Sequence, residues 1–310
     1  MRNILWTICS ALFLVACDGG GTSEAIRYPE ESSEALSSAI ELSAESSSEV
    51  ISSIIESSSS DKSSSSEALL NSSSSVGVFP CKTEREDNCE YGTLVDERDG
   101  QTYKTVKIGK QWWMAENLNY AYLQPTSTQD SSSWCYNDSA EYCDKYGRLY
   151  LWSAAMDSAA LFSDGTKGCG YFPNSKDSFQ CPNDLDVLGI CPEGWHLPSL
   201  KEYRILIRNV KDVHLLLSVA GEWYEGQSNT DEFGFDLLPG GYYCSTYDSY
   251  GPSFDFIYEV AFLWLATENG SKSAWHLYGD TGYLTDANEN TSSSNKSIAQ
   301  SIRCIKNFME

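Results

Sequence analysis

The chain has 310 residues and a formal net charge of −23, from 44 acidic and 21 basic residues. Residues 81–310 alone carry 33 acids against 18 bases. A surface of that sign repels phosphate backbones and acidic polysaccharides, which argues against nucleic acid as a partner. No apolar run of about 20 residues is present, so no helix is expected to span a bilayer.

Met1-Arg2-Asn3 followed by the apolar stretch Ile4–Val15 reads as a signal peptide over residues 1–16. It closes on Leu14-Val15-Ala16-Cys17, which resembles the lipobox of bacterial lipoproteins. That resemblance implies cleavage after Ala16, diacylglycerol on the Cys17 thiol and acylation of the new amine. Several acyl chains, at about 0.8 kcal/mol per buried CH₂, anchor a protein effectively permanently. The expected location is the cell envelope, at the outer membrane or cell surface, with lipid as the only link to the membrane.

Residues 17–80 read as a disordered linker. Within them, residues 31–75 hold 22 serines interspersed with Glu, too little apolar surface to offset the entropy of ordering. The random-coil reach of such a spacer is roughly 45 Å.

The remaining residues, 81–310, form the predicted domain. Asp99-Gly100 is a turn signal, and Asp96, Glu97 and Asp99 beside it read as solvated surface. Thr102–Ile108 predicts a strand, and Gln111–Ala115 its hairpin partner across Gly109-Lys110. Leu149, Trp152, Ala155, Met156 and Ala159 recur at helical spacing and predict a first helix within residues 146–160. Ser199 with Glu202 makes a capping-box pattern. Leu200, Tyr203, Leu206, Ile207 and Val210 then predict a second helix. Phe233–Gly241 reads as a short strand ended by a Pro-Gly-Gly turn. Phe262–Thr267 and Ala274–Tyr278 read as buried strands, and Ser301–Lys306 as a closing one. This order is α+β rather than repeated βαβ.

Nine cysteines follow Cys17. In an exported chain they read as a disulfide framework, although spacing alone does not fix the connectivity. Near neighbours suggest Cys81–Cys89, Cys135–Cys143 and Cys169–Cys181. Cys191 and Cys304 would then close a long loop worth roughly 4–5 kcal/mol. Cys244 is left over, expected as a buried, inert thiol. The absence of a C-x₂-C pair and the scattered His196, His214 and His276 argue against structural zinc.

Several blocks resemble the Fibrobacter succinogenes major paralogous domain: Gly100–Gly109, Gln111–Leu118, Tyr146–Tyr150, Cys191–Ser199, Leu238–Gly241 and Ile302–Cys304. They cover about residues 95–306. The resemblance implies a C-type-lectin-like fold, distantly related to formylglycine-generating domains: two helices and short, mainly antiparallel strands, braced by disulfides after the Ser-rich linker. It also implies export and lipid anchoring, and it assigns no molecular function. One block departs: Trp264-Leu265-Ala266-Thr267-Glu268 stands where a Trp-Ser-Ser-Thr type run is expected.

No nucleophile elbow, phosphate loop or His-Glu-x-x-His motif occurs, so no catalytic residue is assigned. A formylglycine-generator-like oxidoreductase would have to rely on Cys244 alone. No cofactor is expected. Calcium is the one candidate ion, through a loose Glu268-Asn269 echo near Trp275 or through Asp184 and Asp186. The stronger signal is the Tyr-rich segment with Tyr242, Tyr243, Tyr247, Tyr250 and Tyr258, read as a long irregular connection and a recognition surface. The expected function is a displayed, lectin-like module for a neutral glycan or an envelope protein. The alternative is a structural envelope protein without a soluble ligand.

Overall fold

The first hairpin of the first sheet reverses at the Asp99-Gly100 turn, where Gly100 takes φ +77°. The computed structural model describes residues 78–123, 132–162, 169, 181, 187–219, 223–224, 229–244, 252–280 and 291–307. The expected signal peptide, the lipid site at Cys17 and the linker fall outside them, as do Asp184, Asp186, Tyr247 and Tyr250. Strands β1 (Tyr91–Val95), β2 (Thr102–Ile108) and β3 (Gln111–Met114) form an antiparallel meander. Val106 of β2 sits opposite Tyr91 on one side and Trp113 on the other.

Asp96 in this turn is fully buried, not solvated as its neighbours suggested. It accepts hydrogen bonds from Arg98 Nε at 2.7 Å and Nη2 at 2.6 Å. Arg98 also donates to the Ile190 carbonyl at 2.7 Å and lies 4.2 Å from the Tyr120 ring centroid. A buried charge met this way is paired at both ends, so the turn is tied into the core.

The helix expected within residues 146–160 is replaced by a strand and a single helical turn. After β4 (Ser133–Trp134) and a 3-10 turn (Tyr136–Asp138), helix α1 covers Ala140–Tyr146. Leu149–Leu151 then forms β5, paired with β4, and only Trp152–Ala155 is helical, as α2. All three residues of β5 are buried. A strand apolar on both faces mimics helical periodicity when read alone.

Strand β6 (Trp195–His196) leads into α3 (Leu200–Val210). Here the capping box is complete: Glu202 N–H donates to Ser199 Oγ at 3.3 Å, and Glu202 Oε2 accepts from Ser199 N at 2.9 Å. Burial pushes the Glu202 carboxyl up, but His196 at 2.8 Å and Ser199 outweigh it and hold the group below its ordinary value. Tyr203, Leu206 and Val210 pack on Val106, Ile108 and Trp113, each burial stabilising by roughly 1.5–3 kcal/mol.

The remaining strands are β7 (Tyr242–Cys244), β8 (Ser253–Asp255), β9 (Val260–Asn269), β10 (Ser273–Asp280), β11 (Thr291–Asn295), β12 (Ile298–Gln300) and β13 (Ile305–Lys306). Three sheets result, ordered β1-β2-β3-β13-β6, β11-β10-β9 and β4-β5-β12-β7-β8. All the strand pairings are antiparallel. The expected closing strand Ser301–Lys306 is shorter: only Ile305–Lys306 is regular, while Ser301 makes a lone parallel bridge to Leu263. Phe233–Gly241 is likewise not a strand, and Leu237 makes one bridge to Leu217.

The 235–236 segment is held by Arg303, a wholly buried guanidinium. Its Nη1 donates to the Phe235 carbonyl, its Nη2 to the Asp236 carbonyl at 2.7 Å, and its Nε to Asn117 Oδ1 at 2.7 Å.

Disulfides join Cys81 to Cys89, Cys135 to Cys143, Cys169 to Cys181 and Cys191 to Cys304, the three near-neighbour pairs and the long-range pair that were expected. Cys244 corrects the expectation of a leftover thiol. It is fully buried, and in the structure it is not a free thiol. The domain is thus α+β and disulfide-braced, with three helices among its described residues rather than two. None of them is long and apolar enough to cross a membrane.

Candidate functional site

The Tyr-rich segment is not wholly irregular. Its ends form the β7–β8 pair, with Tyr242 opposite Asp255 and Tyr243 opposite Phe254. Beyond β8 the chain makes a tight loop, in which Phe256 has φ 60° and Tyr258 φ 69°. Left-handed backbone is unfavourable for bulky side chains, at a cost of order 1–3 kcal/mol each, and persists only where the surroundings over-determine it.

The surroundings are the Leu238–Gly241 turn. Tyr258 N–H donates to the Pro239 carbonyl at 3.0 Å, and Gly241 N–H to the Val260 carbonyl at 3.0 Å. Gly241, itself at φ +64°, lies flat beneath the loop. A Cβ there would sit 2.4 Å from the Asp255 carbonyl oxygen and 2.8 Å from Ile257 N. The missing side chain lets two backbones touch. From the other side, Tyr224 N–H donates to the Tyr258 carbonyl at 2.7 Å. Three large rings consequently face solvent around one node: Tyr224 is 67% exposed, Phe256 37% and Tyr258 37%.

A ladder of rings runs on from this node. Tyr258 meets Tyr146 edge-on at 6.0 Å, Tyr146 stacks on Tyr142 at 6.2 Å, and Tyr142 meets Tyr136 at 5.4 Å. Tyr136 contacts Phe254 at 5.3 Å, Phe254 contacts Tyr243 at 4.6 Å, and Tyr243 contacts Trp134 at 4.6 Å. The Tyr142 hydroxyl also hydrogen-bonds Tyr258, which raises its pKa above the ordinary value. Burial pushes the Tyr136 hydroxyl up to about 12, although it accepts from the Ile257 backbone N–H. Tyr136 and Tyr146 are buried supports, while Trp134, Tyr142, Tyr243 and Phe254 are half-buried.

Of the sequence candidates, Tyr243 and Tyr258 belong to this surface. Tyr242 does not: it is buried, stacked beneath Phe256 at 5.7 Å and edge-on to Phe262 at 5.8 Å. Trp134, Tyr136, Tyr142, Tyr224, Phe254 and Phe256 were missed, because ring pairs from distant strands carry no local signature.

Glu268, Asn269 and Trp275 lie on a different sheet, at the β9–β10 hairpin. Glu268 is engaged by protein groups. It forms an ion pair with the buried Lys296 and accepts from Cys181 N–H at 3.0 Å. Lys296 lies 4.3 Å above the Trp152 ring, and burial lowers its pKa despite Glu268. A side-chain ammonium thus takes the position a cation would need. Asn269 donates to Ser293 Oγ at 2.8 Å, and Trp275 is half-buried at a β-bulge. Among the described residues, no three His, Cys, Asp or Glu converge as metal ligands.

A sequence model of the Fibrobacter succinogenes major domain matches residues 106–306. The chain belongs to this family. Within the matched stretch of the Fibrobacter succinogenes major domain fall the Leu238–Gly241 turn, the strained loop and every ring of the ladder. It closes on β13. No curated protein and no solved structure matches the chain.

Proposed function

We propose that this protein is a lipid-anchored cell-envelope protein displaying a lectin-like recognition module for an extracellular glycan or protein partner. The observation that carries the reading is the node of three solvent-facing rings, Tyr224, Phe256 and Tyr258, the last two on backbone held against its own preference. Backbone strain under solvent-exposed rings supports a contact role, since such strain clusters at ligand-binding and switch regions. The Cys17 motif and the linker supply anchor and reach. The antiparallel α+β domain, closed by Cys191–Cys304, supports the lectin-like comparison.

The test is retention of the purified domain on insoluble neutral polysaccharides, alongside cross-linking in intact cells. Wild type is expected to be retained, or cross-linked through residues 224–258, while Tyr224→Ala loses the interaction with its unfolding midpoint unchanged. Equal retention of a heat-denatured control, together with no cross-linked neighbour at these residues, overturns the proposal. Constant neighbours at other surfaces would point instead to a structural envelope protein.

A further inference from the structure

Resting on that reading, we propose that the ring ladder from Trp134 to Tyr258 is one extended site for a neutral oligosaccharide chain, contacted over several sugar units. Trp134, Tyr243, Phe254, Tyr142 and Tyr258 present the accessible rings of this ladder, and buried Tyr136 and Tyr146 link them from beneath. Among the described residues, the exposed aliphatic side chains Val95, Leu123, Leu161 and Val219 lie on other segments.

Carboxylates flank the path instead. Asp138 is close enough to the Tyr243 hydroxyl to raise its pKa further, after burial. Asp255 stands near Tyr136 and accepts from Ser253 Oγ at 2.6 Å. Glu141 adjoins Tyr142, and Glu259 follows Tyr258.

This mixture separates the two partner classes. Cores of protein–protein interfaces are depleted in Asp and Glu, because burying an unpaired carboxylate is costly. A saccharide has the opposite requirement. Its C–H faces cover aromatic rings, while its hydroxyls donate to carboxylates that stay at the edge in water. Acidic sugars are disfavoured by the same carboxylates and by the domain's net negative charge. A path of several rings also predicts that no single sugar unit captures the whole binding energy.

The experiment is calorimetric titration of the folded domain with uncharged glucose oligomers of one to six units, in β-1,4, β-1,3 and α-1,4 linkage. For at least one linkage, affinity is expected to rise by at least about tenfold from one unit to six, the equivalent of 1.4 kcal/mol. Trp134→Phe, at the far end of the ladder, should weaken the long oligomers and flatten the rise of affinity with chain length.

Equal affinity for one unit and six overturns the extended site but leaves the recognition node intact. Failure of every oligomer, with a protein cross-linked at Tyr258, overturns the saccharide class while recognition stands. Failure of both removes the underlying reading as well. Unfolding midpoints of each variant keep a misfolded protein from passing as a non-binder.

Discussion

Substituting Gly241 with Ala should dismantle the node without touching a ring. The new methyl would lie 2.4 Å from the Asp255 oxygen, 2.8 Å from Ile257 N and 3.0 Å from Phe256 C, all backbone atoms that no rotamer change can move. Relief requires the whole 255–257 segment to lift. The left-handed conformation at φ +64° adds about 1–2 kcal/mol for any L-residue, and overpacking adds about 1–3 kcal/mol. The sum, about 2–5 kcal/mol, corresponds for a domain of this size to a fall in Tm of at least roughly 4 °C.

Gly100→Ala is the control. It sits at φ +77° with nothing within 4 Å of its built Cβ, so only the conformational part applies. Urea unfolding of both variants, with polysaccharide retention in parallel, measures the difference. Gly241→Ala as mild as Gly100→Ala, or a destabilised Gly241→Ala with undiminished retention, would refute the claim that this glycine positions the ring-bearing loop.

Other outcomes can be checked on the same protein. Replacing Cys191 and Cys304 by Ala opens a loop of 113 residues and should cost roughly 5 kcal/mol, against roughly 2.5 for the eight-residue Cys81–Cys89 loop; denaturant titration gives the ranking. Arg303→Lys retains charge but cannot span the Asn117, Phe235 and Asp236 acceptors, so a loss of about 2–5 kcal/mol or insoluble expression is expected, read from soluble yield and urea midpoint.

His276 is buried and neutral, its pKa drawn by burial from 6.5 to about 3. Its stability contribution is complete above pH 6.5 and declines as pH falls toward 3. The stability gap between wild type and His276→Phe should therefore shrink by about 2 kcal/mol from pH 6.5 to 4.5. Burial pushes Asp231 up to about 6, so its contribution declines in the other direction, as pH rises through that value. For that reason the gap, rather than the wild-type curve, is the readout, and a pH-independent gap would contradict a neutral His276.

Legibility in the sequence followed how local each determinant is. The β2–β3 hairpin and α3 were readable because a Gly-Lys turn and the Ser199–Glu202 pair state their geometry within a few residues. The α1 segment was not, since Ser139 offers no side-chain cap and only Cys143 and Tyr146 are buried. Residues 149–151 misled because burial on both faces erases the two-residue alternation of a strand. The aromatic surface was legible only in small part: Tyr243 and Tyr258 stood out by composition. The contacts of Trp134 with Tyr243, and of Tyr146 with Tyr258, depend on tertiary pairing that no window of sequence contains.

In the two five-stranded sheets, interior strands come from late in the chain. β12 lies between β5 and β7, and β13 lies between β3 and β6. While the polypeptide is being synthesised, β3 and β5 must wait with open edges until residues 298–306 have left the ribosome. The β1–β2–β3 meander and the β4–β5 pair are local, but neither five-stranded sheet closes until the late strands arrive. Removing residues 298–306 would take an interior strand from both sheets at once.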